Sequence, residues 1–235
     1  MELPVLLINI ERAAARRAAI ERQASELGIK VEPVPGVDGG LVPREQWVGV
    51  DAELFRRRNG RTILPGEYGC YRSHLVAFRQ LVDSGRPAAL IIEDDVALSR
   101  DLMDRAQAIV DMAPGDCLIK LVNHRTVAFR PMFKSSKGDE VGLACFGPMG
   151  SSACYLVTLG AARKLLQGMA NQSLPLDNAL DRAIVVHAAW YANPDMISRR
   201  GMLGRSQGCF AVGEKDLAEV FERLGPGRMI YAAKV

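Results

Sequence analysis

Residues 4 to 10 read PVLLINI, a continuous apolar run of strand length, and residues 88 to 92 read AALII in the same manner. Runs of this kind fit strands inside a parallel-rich sheet that helices cover on both faces. The segments between them meet that demand. Residues 11 to 27 (ERAAARRAAIERQASEL) are rich in Ala, Arg and Glu and stop at Gly28, so strand, helix and glycine stop follow one another. Residues 29 to 35 (IKVEPVP) read as extended, and residues 36 to 64, with turn residues and the basic stretch RRRNGR (56 to 61), read as the first long loop. Residues 67 to 83 place Leu75, Phe78, Leu81 and Val82 at helical spacing before SGRP ends the helix. A helix over 100 to 112, stopped by Pro114-Gly115, and a strand at CLIKLV (117 to 122) come next. Short strands at 141 to 146 and 153 to 158 flank GPMGSS, and helices are expected over 159 to 169 and near 177 to 184. The predicted fold class is α/β: a mixed, mostly parallel sheet flanked by helices on both faces.

Composition narrows the class further. The chain of 235 residues is 49% hydrophobic and 24% charged, which suits a soluble protein with one large core. Thirty Lys and Arg against 27 Asp and Glu leave +3, a balance that selects no partner and repels no anionic substrate. Five cysteines form no CxxC pair and sit mostly in apolar runs such as CLIKLV and ACYLV, so they read as buried, reduced thiols of a cytoplasmic protein. The first apolar run precedes its basic residues, the reverse of a secretory signal peptide, and no stretch of 18 apolar residues offers a membrane span. RRRNGR has only Phe55 nearby for stacking, which argues against a nucleic-acid substrate.

The chemistry concentrates where the AALII run ends. Residues 91 to 96 read IIEDDV, placing Glu93, Asp94 and Asp95 directly after a buried strand. In parallel-rich sheets, ligands bind outside the carboxyl ends of the strands. If the strand stays extended, Glu93 and Asp95 share one side and Asp94 points to the other. Two carboxylates on one rim suit Mg²⁺ or Mn²⁺, with positions left open for substrate phosphates. The competing reading is that the acids solvate the strand end or cap the helix that starts near Ser99.

The order of motifs decides between them. INIERAAARR, VPGVDGG, LPGEYGCYRSHLVAF, AALIIEDDV, CLIKL, GSSACYLVT and LPLD follow one another across roughly residues 5 to 180. Together they resemble glycosyltransferase family 25, the lipooligosaccharide sugar transferases with relatives among collagen galactosyltransferases. The resemblance implies a GT-A-like, Rossmann-type catalytic domain over 1 to 198, with the basic tail and helix of 199 to 235 placed on it. It implies a nucleotide-sugar donor, commonly a UDP-sugar, and inversion at the sugar carbon. A divalent metal, Mn²⁺ or Mg²⁺, would be held by Glu93 and Asp95 against the charge that builds on the leaving diphosphate. Asp177 in LPLDNALD matches the family's recurring aspartate and is the expected base, with Asp181 a turn further on. Asp177 also fits the N-cap of its own helix. Asn9, Arg16, Asp38, His74, Asp94, Lys120 and Ser151 are the expected donor-binding residues. Arg16 would reach the diphosphate, Asp38 the base or ribose, and Lys120 the phosphates or Asp95. His74 is read as substrate-binding rather than acid or base. The acceptor would be a saccharide or lipid-linked oligosaccharide. RRRNGR and Arg199, Arg200 and Arg205 would lie against anionic headgroups on the inner face of the cytoplasmic membrane.

Other readings fare less well. A dehalogenase-like phosphatase needs Asp as the first acid, where this chain has Glu93. A Rossmann oxidoreductase needs GxGxxG after the first strand, where the chain reads NIERAA. A nucleotide- or sugar-binding protein without turnover stays open, because MISRRGMLGRSQG after Pro194 fits the family pattern only loosely.

Overall fold

The computed structural model describes residues 3–122, 129–144, 151–173, 175, 176, 186–188 and 210–212. Its strands are β1 (Val5–Asn9), β2 (Val31–Pro35), β3 (Ala88–Glu93), β4 (Leu118–Lys120), β5 (Phe129–Lys134), β6 (Glu140–Ala144), β7 (Cys154–Thr158), β8 (Val186–Ala188) and β9 (Phe210–Val212). The helices are α1 (Ala14–Glu26), α2 (Ala52–Asn59), α3 (Pro65–Ser84), α4 (Leu102–Met112) and α5 (Leu159–Gly168). The central sheet runs β2-β1-β3-β7-β4, with β1 parallel to β2 and to β3, and β7 antiparallel to both β3 and β4. Only β7 runs against the other strands of this sheet. β5 and β6 form a separate antiparallel ribbon, and β8 pairs with β9 in parallel.

The two apolar runs are buried on both faces. Leu6, Ile8, Ala89 and Ile91 join Tyr155 and Val157 against α3 and α5, through Phe78, Leu81, Ala162 and Leu165. Val5, Leu7, Leu90 and Ile92 join Cys154 and Leu156 against α1 and α4, through Ile20, Ala24, Ala106 and Ile109. Neighbouring residues along a strand point to opposite faces, so a run without polar interruption feeds both cores at once. Each fully buried Leu or Ile contributes on the order of 2 kcal/mol, which makes β1 and β3 the centre of the fold.

Several expectations shift at their edges, and α2, β5, β8 and β9 were not foreseen. The 36 to 64 region holds α2, whose start is capped by Asp51 Oδ1 accepting from the Leu54 N–H at 2.9 Å. Gly60 closes it in the left-handed region at φ 69°, and Phe55, fully buried against Ile63 and Tyr68, anchors it. Leu54 and Phe55 are adjacent in AELFRRRN and only Phe55 is buried, which gives no periodic signal, so the stretch reads as loop. β5 contains Pro131 at a register shift, a residue that argues against a strand in sequence and is tolerated at a bulge. The acids of IIEDDV do not cap α4: that helix starts at Leu102 with Asp101 before it, and Ser99 Oγ donates to Asp101 at 2.6 Å. The helix expected near 177 to 184 and the 199 to 235 tail, β9 apart, lie outside the described residues.

The loop after β2 is locked onto α3. Gly36 N–H donates to Asn9 O at 2.8 Å, Val37 N–H donates to Ser73 Oγ at 2.8 Å, and Ser73 Oγ donates to Gly69 O at 2.7 Å. A Cβ on Gly69 would stand 2.4 Å from Val37 O and 2.7 Å from Gly39 N. Both neighbours are backbone and cannot swing aside. Gly69→Ala is expected to cost about 2 kcal/mol or more, lowering the melting temperature by roughly 4–8 °C for a chain of this size. A Cβ on Gly66, one turn away, meets nothing within 4 Å. Gly66→Ala should therefore leave stability unchanged or raise it by up to about 1 kcal/mol. Thermal denaturation of the pair checks the contact, and equal melting temperatures would refute it.

Candidate functional site

β1 and β3 are neighbours whose onward connections leave toward opposite edges of the sheet: β1 leads through α1 to β2 on one side, while β3 leads through α4 to β4 on the other. Such a divergence leaves a crevice at the carboxyl ends of the strands. A cavity of about 160 Å³ occupies it here, lined by Asn9, Arg12, Arg16, Asp38, Cys70, Ser73, His74, Glu93 and Asp94 among others.

Its charges come as pairs. Arg12 Nε donates to Asp38, and Arg16 Nε lies 3.1 Å from Asp94 Oδ1. The Arg12 and Arg16 side chains are 70% and 56% exposed, against 13% and 9% for their acidic partners. The acids are thus set into the wall and the guanidinium groups are exposed at its mouth. Asp94 Oδ2 also accepts from Asn9 Nδ2, tying the ends of β1 and β3 together. Asn9 is buried, its Nδ2 donates as well to Ala13 O at 3.3 Å, and its Oδ1 has no partner. An acceptor left unsatisfied at a cavity wall is a position where a ligand donor gains a hydrogen bond at no cost to the protein.

Deeper in, a hydrogen-bonded chain leads to Glu93. Tyr155 Oη is 2.6 Å from His74 Nδ1, His74 Nε2 is 3.2 Å from Glu93 Oε1, and Ser152 Oγ donates to the same oxygen at 2.8 Å. Burial pushes the Glu93 carboxyl up, but His74, Ser152 and the charge of Arg16 outweigh it and hold its pKa below the usual carboxylate value. Glu93 is therefore ionised and accepts, so His74 Nε2 carries the proton. Tyr155 is fully buried and its pKa is pushed well above the ordinary value by that burial, so it stays a neutral phenol.

The structure brings Asn9, Arg16, Asp38, His74, Glu93 and Asp94 to one cavity. It places Asp95 elsewhere: β3 ends at Glu93, the chain turns, and Asp95 is exposed and outside the cavity lining. The expected sharing of a side by Glu93 and Asp95 assumed continued extension; the turn puts Asp94 beside Glu93 instead. Ser151, at φ 57°, accepts from the Ala153 N–H through its Oγ at 3.3 Å, and its neighbour Ser152 is the serine that reaches Glu93. Lys120 is half-buried at the end of β4, opposite Tyr155 in register, and does not line the cavity. Asp177 lies outside the described residues. Cys70, Tyr155 and Arg12 belong to the site and carried no assignment from sequence. The four-residue spacing of Cys70 and His74 was the available signal, since it sets both on one helix face.

Mg²⁺ or Mn²⁺ calls for carboxylate oxygens converging on one point. Asp94 has its two oxygens on Asn9 and Arg16, Glu93 has Oε1 on His74 and Ser152, and Asp95 stands apart. The described residues do not form an oxygen-only set in this arrangement. What converges is mixed: a ligand atom from each of Cys70, His74 and Glu93, all within 4.8 Å of one another.

A charged crevice at the strand ends of a mostly parallel sheet defines an α/β protein built to hold a polar ligand. The chain belongs to glycosyltransferase family 25 (LPS biosynthesis protein), whose family model matches residues 2–180. A glycosyltransferase 25 family member of Drosophila melanogaster is 24% identical over 181 residues, covering 75% of this chain and 30% of that protein. Human procollagen galactosyltransferase 2 is 27% identical over 111 residues, 46% of this chain and 18% of the relative. The human inactive glycosyltransferase 25 family member 3 is 25% identical over 182 residues, 75% and 31% of the two chains. The chain thus spans about a third or less of the length of these relatives. A second family model, the L,D-transpeptidase catalytic domain, matches residues 136–233.

Glu93 supplies a pH signature. Its folded pKa is lowered from 4.5, so its contribution to stability is present above that value and is lost as pH falls through the folded pKa. Glu93→Gln removes the titrating group. The variant should lose less stability than wild type on acidification below pH 4.5, as melting temperatures across that range will show; parallel curves would refute the assignment.

Proposed function

We propose that the protein is a hexosyltransferase that takes a sugar from a nucleotide donor, UDP-linked, and delivers it with inversion to a saccharide acceptor of a surface glycan. The observation that supports this most is the crevice itself, which sets two exposed guanidinium groups at its mouth and lines its wall with Asn9, whose buried Oδ1 has no partner. A nucleoside diphosphate offers what these groups lack. Its phosphates can take Arg12 and Arg16 from Asp38 and Asp94 through bidentate, charge-assisted contacts. A ribose hydroxyl or a base N–H can donate to Asn9 Oδ1. Asp94 keeps its hydrogen bond from Asn9 Nδ2 and Asp38 keeps the one from the Gly40 N–H, so neither carboxylate is left without a donor by the exchange.

The chemistry follows from where charge moves. As the bond between sugar carbon and phosphate oxygen breaks, negative charge grows on the departing diphosphate, and guanidinium groups beside it lower the barrier. The acceptor hydroxyl attacks from the opposite side and gives up its proton to a carboxylate, a role we assign to Asp177. The cytoplasmic side of the membrane, with lipid-linked acceptors, is part of the same proposal. The runner-up is donor binding without turnover, supported by a relative that carries the name inactive family member 3.

A thermal-shift screen with UDP, GDP and CMP, each with and without Mn²⁺, tests the donor reading and the metal requirement together. UDP is expected to stabilise most. Arg16→Ala should weaken UDP binding by roughly tenfold or more, the loss of a charge-assisted hydrogen bond worth about 1.5–3 kcal/mol. Stabilisation by no nucleotide would sink the proposal, and UDP-sugar hydrolysis separates an enzyme from a binding protein.

A second reading concerns the C-terminal part, favoured by the match over 136–233. We infer an acyl-transfer centre of transpeptidase type there. Such a centre needs a nucleophile beside a base. His187 is the single histidine between 136 and 233, where the thiols are Cys145, Cys154 and Cys209. Cys154 is buried, its pKa pushed up to about 12, which leaves it inert. The register Val186↔Phe210 sets His187 on the strand beside the one that Cys209 directly precedes in GRSQGCF, and Cys209 itself lies outside the described residues. Attack of the Cys209 thiolate on a peptide carbonyl would expel the amine, which takes the proton held by His187, and leave a thioester for a second amine to resolve. Intact-mass analysis with a peptide donor should show that adduct in wild type and not in Cys209→Ala; an adduct in both would refute it.

A further inference from the structure

Cys70 and His74 stand four residues apart on α3, so their side chains leave the same face one turn from each other. Glu93 meets them from the end of β3. A ligand atom from each lies within 4.8 Å of the other two, and all three residues line the cavity. Bonds of about 2.0–2.3 Å in a tetrahedral arrangement put ligand atoms roughly 3.3–3.8 Å apart. Closing the set therefore takes side-chain adjustments of about 1 Å, without moving a helix or strand.

The surroundings are those of a held site. Tyr155 Oη engages His74 Nδ1 at 2.6 Å and turns Nε2 toward Glu93, and Ser152 Oγ steadies the carboxylate at 2.8 Å. Partners of this kind fix the orientation of metal-bound imidazole and carboxylate groups. A proton closes the 3.2 Å gap between His74 Nε2 and Glu93 Oε1. A divalent cation can take that proton's place. Binding would shift that proton to His74 Nδ1, which can donate to Tyr155 Oη, and release the thiol proton of Cys70, since sulfur ligates as thiolate. Sulfur, imidazole nitrogen and one carboxylate form a borderline set, which favours Zn²⁺ and its neighbours over Mg²⁺ and Mn²⁺.

We propose that Cys70, His74 and Glu93 form a site for a borderline divalent cation of the Zn²⁺ class, with its fourth position open to the cavity. This goes beyond the donor reading and stands on the side-chain geometry alone. An ion there would add positive charge to the cavity that Arg12 and Arg16 also line and offer a ligand oxygen a coordination position.

Cobalt(II), added to the full chain, is the probe. Wild type should bind it with a near-ultraviolet sulfur-to-cobalt charge-transfer band that one equivalent of Zn²⁺ displaces. Cys70→Ala should lose the band, with its circular dichroism and metal-free melting temperature unchanged. Absence of the band in wild type, or its survival in Cys70→Ala, overturns the proposal, the second outcome assigning the thiolate to another cysteine. If Cys70→Ala does not fold, Glu93→Gln decides: it keeps the thiolate and should bind cobalt at least about tenfold more weakly, while unchanged affinity overturns the site. UDP stabilisation without a cobalt band refutes this site and leaves the donor reading standing.

Discussion

Burial of β1 and β3 on both faces is the constraint from which the rest follows. Leu6, Leu7, Leu90, Ile91 and Ile92 have almost no exposed surface, and no polar side chain can be accommodated among them at tolerable cost. Polar groups can emerge only where these strands end. Asn9 on β1 and Glu93 on β3 are the first that do so, and the hydrogen bond from Asn9 to Asp94, the next residue, ties the two strand ends at the point where the connections part. The crevice is thus a by-product of covering both faces, and its position is settled before any residue in it is chosen.

Much of this was legible in the order of residues, for reasons that differ by element. PVLLINI and AALII announce themselves because a strand covered on both sides needs no alternation. The helix over 67 to 83 shows through its periodic Leu and Phe, and the structure extends it to Pro65 and Ser84. α2 was hidden because one buried phenylalanine makes no period, and its boundaries depend on Asp51 and Gly60 instead. The site was partly readable. Glu93, Asp94, His74 and Asn9 stand out as polar residues beside apolar runs, but which acid faces the cavity depends on a turn after Glu93 that alternation does not encode. Tyr155 was concealed inside ACYLV, where an aromatic reads as core until its hydroxyl is seen to meet His74.

The electrostatics of the crevice divide by depth. At the mouth, arginines exposed by more than half pair with fixed acids, an arrangement that salt weakens and a ligand can rearrange. Inside, His74 is 1% exposed and Glu93 28%, and the carboxylate is shared with Ser152, so the contact is closed to solvent on the histidine side and held by neighbours on two sides. The outer layer is suited to exchange of partners and the inner one to constancy. A polar ligand entering from solvent meets the adaptable charges first.

One wall of the crevice is made differently from the others. Between the β2–α2 loop and α3, Gly39 and Gly69 let main chain rest on main chain, with no side chain between them. A wall of that kind has no vocabulary of residues by which its shape can be edited: any larger group moves the loop rather than reshaping the pocket. Divergence of ligand preference within such a scaffold is thereby confined to the arginine-bearing side, and the glycine side acts as the fixed datum against which the ligand is placed.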